Sequence, residues 1–190
     1  MLANTAFAQW IVDSVSMGTA SANDQFYRMD NLGAVKSENN RNWHIAFSMS
    51  PSDSGSVWAN HNTGNSFVKV YNIHKTYAQW ASVTLADTAT ANLCYNYDKG
   101  WHQGAFNDLP RPSVFGFGWG TYNMTSHNVI GDSMFIVKAD TSFYKVYIHS
   151  LISVPMDWDI EVENFATGIS YRDTISRGTV YANKNFAYYN

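Results

Sequence analysis

Short segments in which apolar and polar residues alternate recur along the whole chain, separated by turns rich in Gly, Asn, Asp and Ser. The clearest pair lies at residues 134–137 and 143–151. In the second segment the alternation is between Tyr144, Val146 and Ile148 on one side and Lys145, Tyr147 and His149 on the other. A period of two residues is typical of a half-buried β-strand. The pair therefore predicts a β-hairpin, with a loop slightly longer than the tightest two-residue turn.

The same alternation at residues 43–47 and 158–163 predicts two further strands. In the second of these, the carboxylates of Asp159, Glu161 and Glu163 are expected to form an acidic stripe, exposed to solvent, that protects a sheet edge. Only residues 76–85 have fair helical spacing, and no strand–helix crossover pattern occurs. The sequence thus predicts an all-β fold, an antiparallel β-sandwich or open barrel with at most one short helix.

The composition narrows the class of protein. A chain of 190 residues is the size of one domain with a single core. Charged residues make up 14% of it, compared with about 25% in typical soluble domains, which is typical of an extracellular β-rich protein. The net charge of −3 and the lack of a basic run argue against nucleic acid as a partner. No apolar run approaches the roughly 20 residues of a transmembrane segment.

Both ends of the sequence carry further signals. The order Ala6-Phe7-Ala8-Gln9 is a context typical of signal-peptide cleavage. Residues 1–9 are therefore interpreted as the remnant of a signal peptide or a disordered N-terminus, and a secreted or cell-surface location is expected. Residues 10–182 are predicted to form the β domain. Residues 183–190 repeat the pattern of residues 22–28, which predicts a linker or the start of a second copy of the domain.

The sequence carries no recognisable catalytic motif. Gly-x-Ser-x-Gly, His-Glu-x-x-His, phosphate-binding loop and Rossmann patterns are all missing, so a non-enzymatic protein is predicted. The single cysteine, Cys94, excludes an internal disulfide and a zinc ribbon, and is expected to be a buried thiol. The acidic stripe, or Asp30 with nearby Asn side chains, is also a candidate for Ca²⁺, although no loop has the EF-hand spacing.

Three segments carry a family pattern. They are Trp43-His44-Ile45-Ala46-Phe47, then Trp119-Gly120-x-Tyr122-Asn123, and Gly131-Asp132-Ser133-Met134-Phe135-Ile136-Val137-Lys138 followed by Tyr144-Lys145. Together they resemble the HmuY-like proteins of Bacteroidetes, over about residues 21–171. The ending Asn183-x-x-Phe186-x-Tyr188-Tyr189 resembles the start of the next repeat in members that are secreted by the type IX system.

The resemblance implies haem as a cofactor. The founding members are haemophores, all-β proteins in which two loops hold a haem through paired axial side chains. His102 and His127 lie in loop-like segments of the region where the haemophores present their ligands, and Met124 is a substitute thioether ligand. The expected pocket walls are Trp101, Phe106, Phe117, Trp119 and Tyr122. A loop histidine is also commonly a surface hydrogen-bonding residue, and such a ring cluster also fits ordinary core packing.

Two further expectations concern the histidines His44 and His149 and the O-glycosylation of serine and threonine. His44 and His149 alternate with core positions and are interpreted as residues of a sheet face. Four Asp-Ser/Thr-apolar sequences resemble the sites at which Bacteroidetes O-glycosylate exported proteins. Their acceptors are Ser14, Thr88, Ser133 and Thr174.

A structural function is the alternative. A secreted adhesive or filament-forming surface domain would pair with itself or with other surface proteins through strand edges and repeat contacts. The low charge and the repeat-like ending favour this alternative, whereas a haemophore needs one self-contained domain with a loaded pocket.

Overall fold

The structure is a computed structural model that describes residues 14–19, 23–28, 33–40, 42–50, 55–61, 67–97, 100, 102–107, 115–178 and 186–189. The chain forms two compact units, Met1–Asn42 and Trp43–Asn190. Their boundary falls inside the segment 10–182 for which the sequence predicts one domain. Residues 1–9 and 183–185, for which a leader remnant and a linker or repeat start are predicted, lie outside the described residues.

Short β-strands follow one another along the described part of the chain. They are β1 (Asn23–Arg28), β2 (Gly33–Asn39), β3 (Ile45–Ser48), β4 (Val57–Ala59), β5 (Val68–Asn72), β6 (Asn92–Cys94), β7 (Gly120–Tyr122), β8 (Val129–Gly131), β9 (Met134–Ala139), β10 (Ser142–Ile152), β11 (Asp157–Asn164), β12 (Ser170–Ser176) and β13 (Phe186–Tyr189). In the first unit, β1 and β2 form an antiparallel hairpin with a shift of register between Phe26 and Tyr27. The predicted all-β fold is confirmed.

The described residues of the second unit form two antiparallel sheets. The larger has eight strands, with the order β12-β11-β10-β9-β5-β6 and with β7 and β8 attached through β10. The smaller has the order β13-β3-β4. The described part of the predicted linker, Phe186–Tyr189, is thus a strand of this sheet, and the side chain of Ala187 is fully buried there.

The main core of this unit lies between the two sheets. Phe47 of β3 contacts Trp158 of β11, with ring centroids 5.1 Å apart, and Trp119 contacts Trp158 with ring centroids 5.2 Å apart. All three rings are fully buried. The indole N–H of Trp158 donates to the carbonyl of Ser48 at 3.0 Å, which satisfies its one polar atom across the core.

The hairpin of β9 and β10 is tighter than the sequence predicts. The strands continue to Ala139 and restart at Ser142, so only Asp140 and Thr141 form the turn. Asp140 adopts a left-handed φ of 51°, which a two-residue hairpin turn requires and which Asp tolerates. The polar residues around the turn belong to the strands, and this is why they looked like a longer loop.

The predicted short helix is replaced by two 3-10 helices, Tyr77–Ser82 and Leu85–Ala89. Each begins after a threonine whose backbone N–H donates to a side chain three residues later. Thr76 donates to Gln79 and Thr84 donates to Asp87. Two such starts, eight residues apart, divide the segment before a longer helix can form. The described part of the chain contains no α-helix, and none of its helices has the length and hydrophobicity that spanning a membrane requires.

The first 3-10 helix covers part of the face of the large sheet that the sequence predicts to be exposed. A second apolar cluster forms there from Ile73, Val83, Met134, Ile136 and Tyr147. The middle of β10, residues 145–148, is consequently buried on both faces, and the side chain of Lys145 is only 3% exposed. The interpretation of β10 as a half-buried strand was wrong for this stretch, because the segment that covers it is distant in sequence.

Candidate functional site

A cavity of about 190 Å³ opens where the two sheets meet at one end of the second unit. We call it the end pocket. Its apolar wall comes from Ile45, Val137, Ala139, Val146 and Val162. Its four rings are His44, Tyr144, Tyr171 and Tyr189. The pairing of Val146 with Val162, and of Val162 with Tyr171, places the wall residues of three adjacent strands on one face of the sheet.

His44 and Tyr189 are fixed in the end pocket by backbone pairing. The N–H of His44 donates to the carbonyl of Tyr189 at 2.8 Å, which extends the pairing of β3 with β13 by one residue. Burial lowers the pKa of His44, and the nearby Asp140 carboxylate opposes this only in part. Burial, helped by Asp173, raises the pKa of Tyr189. Both rings are therefore uncharged at neutral pH.

On the opposite face of the sheet lies a cluster of polar and aromatic groups around Glu161. This carboxylate accepts hydrogen bonds from the Tyr77 hydroxyl at 2.9 Å and the Ser170 hydroxyl at 3.1 Å, and lies 2.9 Å from Nε2 of His149. Burial alone would raise the pKa of Glu161, but the bonds from His149, Tyr77 and Ser170 outweigh it and the pKa is lowered. The rings of Tyr77, Tyr147 and His149 pack within 4.7–4.9 Å of one another.

Beside it, Glu163 joins the sheet to the first 3-10 helix. Its carboxylate accepts from Nζ of Lys145 at 2.8 Å and from the indole N–H of Trp80 at 3.0 Å. Lys145 also donates to the carbonyl of Trp80 at 3.0 Å and lies 4.7 Å from the centre of its ring. These bonds give the buried ammonium group the partners that burial demands.

The acidic stripe is therefore neither solvated nor at an edge. Strand β11 lies between β10 and β12, and its carboxylates are half-buried. Asp159 pairs with Arg172 at 2.6 Å, and Glu161 and Glu163 are engaged as described. The expectation of an exposed stripe was wrong, since the 3-10 helix and β12 supply its partners. Among the described residues, no group of three or more His, Cys, Asp or Glu is placed to hold a metal ion.

A groove of about 530 Å³ runs along β6, the end strand of the large sheet. It is lined by residues 91–97 and by Gly104, Ala105 and Asn107. Three apolar side chains of this region are exposed, namely Leu93 (37%), Tyr95 (55%) and Tyr97 (40%). Cys94 is half-buried rather than buried as expected, and its thiol lies 3.5 Å from the carbonyl of Asn92.

The residues predicted to bind haem occupy different environments. His102 is exposed in the segment 102–107. His127 is exposed at a positive φ of 59°, and its Nδ1 lies 2.7 Å from the Tyr122 hydroxyl. Met124 is 61% exposed. Neither of the two cavities described above has His102, His127 or Met124 in its lining.

The predicted pocket walls belong largely to the core. Trp119 and Phe106 are fully buried, and the indole N–H of Trp119 donates to the carbonyl of Gly55 at 2.8 Å. Phe117 and Tyr122 are partly buried and pack against the same core. Trp101 lies outside the described residues.

The four predicted glycosylation acceptors lie on exposed or half-buried positions. Ser14 and Thr174 are exposed, whereas Thr88 and Ser133 are half-buried. The hydroxyl of Thr88 donates to the carbonyl of Leu85 at 2.7 Å, and that of Ser133 donates to Asp132 at 2.8 Å.

Sequence reasoning missed both the end pocket and the Glu161 cluster. From the sequence, His44 and His149 are assigned only to sheet faces. What distinguishes the two histidines is the group that each contacts in the folded sheet, and the partner of His149, Glu161, lies 12 residues away in sequence.

No family model, curated protein or solved structure matches this chain.

Proposed function

We propose that this protein is a secreted, non-enzymatic binding domain that holds a small, mainly apolar ligand in the end pocket. The observation that carries the proposal is the cavity itself, with aliphatic side chains as its wall and four ring side chains around it. Ligand sites in proteins are typically apolar clefts with a few well-placed polar groups. At about 190 Å³ the cavity is smaller than most drug-sized sites, and it is close to the roughly 150 Å³ of an apolar cavity that binds benzene.

Filling the pocket tests this proposal. Toluene is titrated into the protein while the methyl resonances of Val137, Val146 and Val162 are followed by NMR. We expect saturable shifts that disappear in Val162→Phe, because the larger ring occupies the half-buried edge of the cavity. Ile130→Phe is the matched control, since Ile130 is 46% exposed and lies on β8. Shifts that never saturate, or that persist in Val162→Phe, would contradict the proposal.

Haem is the specific ligand that the HmuY-like resemblance implies, and it is larger than the end pocket. We therefore keep His102 and His127 as its proposed axial ligands, with Met124 as the substitute, on loops outside that pocket. Haemin is titrated and the Soret absorbance recorded for the native protein, His102→Ala and His127→Ala, with His74→Ala as the control. A sharp, saturable band that is lost in either loop variant is expected. A broad band unchanged by both substitutions would exclude haem at this pair.

The groove along β6 favours a second candidate function, an extracellular structural domain that pairs through strand edges. An end strand with exposed Leu93 and Tyr95 beside it is a template for an added strand. If this is correct, sedimentation at rising concentration will show assembly that Leu93→Lys abolishes. Thr174→Lys, an exposed position on the other end strand β12, should leave assembly unchanged. A native protein that stays monomeric throughout would remove this candidate.

A further inference from the structure

The rings of the end pocket come from four separate parts of the chain. Tyr144 belongs to β10, Tyr171 to β12 and Tyr189 to β13, while His44 immediately precedes β3. Tyr171 is 63% exposed, so it stands at the mouth of the cavity, whereas Tyr144 and Tyr189 are half-buried. Tyrosine rings attract cations through their electron-rich faces, and several rings around one cavity make a recognition site for alkylated ammonium groups.

Two carboxylates act on the same cavity. Asp140 forms the β9–β10 turn directly after Ala139, which lines the pocket, and its charge raises the pKa of His44 against the larger effect of burial. Asp173 follows Tyr171 by two residues on β12, on the face whose next member, Ile175, is buried in the core. After burial, the charge of Asp173 is the second cause that raises the pKa of Tyr189. The potential in the pocket is therefore biased towards negative values.

The basic side chains of the strands that line the pocket face the other way. Alternation places Lys138, Lys145 and Arg172 on the opposite face of the large sheet. Lys145 is paired with Glu163 at 2.8 Å and Arg172 with Asp159 at 2.6 Å. Lys138 lies 5.9 Å from the centre of the Phe143 ring. On these described strands, negative charge alone is thus directed towards the cavity.

We propose that the end pocket selects a small organic cation, such as a trimethylammonium group, over a neutral or anionic group of the same shape. This inference rests on the proposed function of the pocket as a ligand site. The wall of valines and Ala139 accommodates the methyl groups, while the tyrosine rings and the two carboxylates stabilise the charge. An anionic ligand is repelled by the negative potential of the pocket, and the electron-rich faces of the rings do not attract it.

The test uses three probes that share a branched head. Choline is the cation, 3,3-dimethylbutan-1-ol is its neutral isostere, and 3,3-dimethylbutanoate is an anion. Each is titrated into the full chain at low ionic strength, with the NMR shifts of the Val137 and Val162 methyl groups as the readout. We expect choline to bind about tenfold more tightly than the alcohol, because a desolvated cation–π contact contributes that much. We expect the anion to bind more weakly than either.

Substitutions separate the charge preference from the pocket itself. Asp173→Asn and Tyr171→Leu should weaken choline several-fold and leave the alcohol unchanged. Asp132→Asn is the matched control, since it removes one carboxylate at the opposite end of β9 from Asp140. Equal affinity for choline and the alcohol, both lost in Val162→Phe, overturns the cation preference while the ligand site stands. Failure of all three probes to give saturable shifts overturns the cation site, and toluene binding then decides whether the proposed function also falls.

Discussion

At the scale of single residues, the side chain of Asn107 stabilises the fold through four hydrogen bonds to backbone groups. It is 1% exposed. Its Oδ1 accepts from the backbone N–H groups of Val57 at 2.9 Å and Gly104 at 3.0 Å, and its Nδ2 donates to the carbonyls of Gly55 at 2.7 Å and Phe117 at 3.0 Å. One amide therefore satisfies the backbone N–H of Val57 at the start of β4 and backbone groups of three loop residues, Gly55, Gly104 and Phe117.

Asn107→Leu is expected to lower the free energy of unfolding by about 3 kcal/mol or more, because each buried backbone group left without a partner costs about 1–3 kcal/mol. The carbonyl of Gly55 keeps the Trp119 indole as a donor, so three groups are affected rather than four. Urea unfolding measures the change. Asn92→Leu, at an exposed asparagine, is the control and should change stability by less than about 0.5 kcal/mol. Equal losses in the two variants would contradict the assignment.

The hydrogen-bond partners of single residues are the features that the sequence predicts least well. The partners of Asn107 are up to 52 residues away, and nothing in its neighbourhood distinguishes it from a loop asparagine. The same holds for Glu161, whose bond to Tyr77 spans 84 residues. By contrast, the burial of Trp158 and Ile160 follows from the period of β11, in which they alternate with the carboxylates. Local pattern determines which face a side chain takes, and only the tertiary fold determines what that face meets.

At the scale of elements, the first 3-10 helix is held by side chains rather than by its own backbone. Tyr77 and Trp80 donate to Glu161 and Glu163, and Lys145 donates to the carbonyl of Trp80. A 3-10 helix of six residues contributes little stability of its own. Its position on the sheet therefore depends on these three contacts and on the packing beneath.

Lys145→Met is expected to loosen this helix selectively. The methionine keeps most of the apolar volume but removes the bond to Trp80, the pair with Glu163 and the contact with the Trp80 ring. Amide hydrogen exchange of residues 77–83 should become about tenfold faster, since one charge-assisted bond contributes about 1.5 kcal/mol or more. Exchange in β3 and β4 should not change. Lys138→Met, on the same face of the adjacent strand, is the control, and equal exchange in both variants would refute this role for Lys145.

Elements were predicted from sequence better than their connections. The alternation at residues 134–151 identified β9 and β10, and that at 158–163 identified β11. The predicted length of the β9–β10 turn was wrong because Lys138 and Ser142 are polar but belong to strands. Residues 76–85 do not form one helix because the segment contains two capping signals, which favour two short 3-10 helices. Edge and interior strands could not be told apart, since strand order is not encoded in the period.

At the scale of the whole molecule, the distribution of carboxylates links stability to pH. The Arg172 guanidinium lowers the pKa of Asp159, against the opposing effect of burial, and Lys75 with the Thr84 N–H lowers that of Asp87. The pKa of Glu161 is lowered by its hydrogen bonds although burial opposes them. In each case the folded protein favours the charged form more than the unfolded chain does.

The stability that these three carboxylates contribute is therefore expected to be fully present above their ordinary pKa values, 4.5 for Glu and 3.8 for Asp. It is expected to be lost as pH falls through the lower pKa values of the folded protein. The reason is that the unfolded chain binds protons first and is favoured by acid. Urea unfolding at a series of pH values between about 3 and 7 measures the slope. Glu161→Gln should be less stable than the native protein at pH 7 by about 1 kcal/mol, with the difference shrinking towards pH 3. Two parallel profiles would show that the Glu161 carboxylate is not linked to folding, and the cluster beneath the 3-10 helix would then stabilise the fold through packing alone.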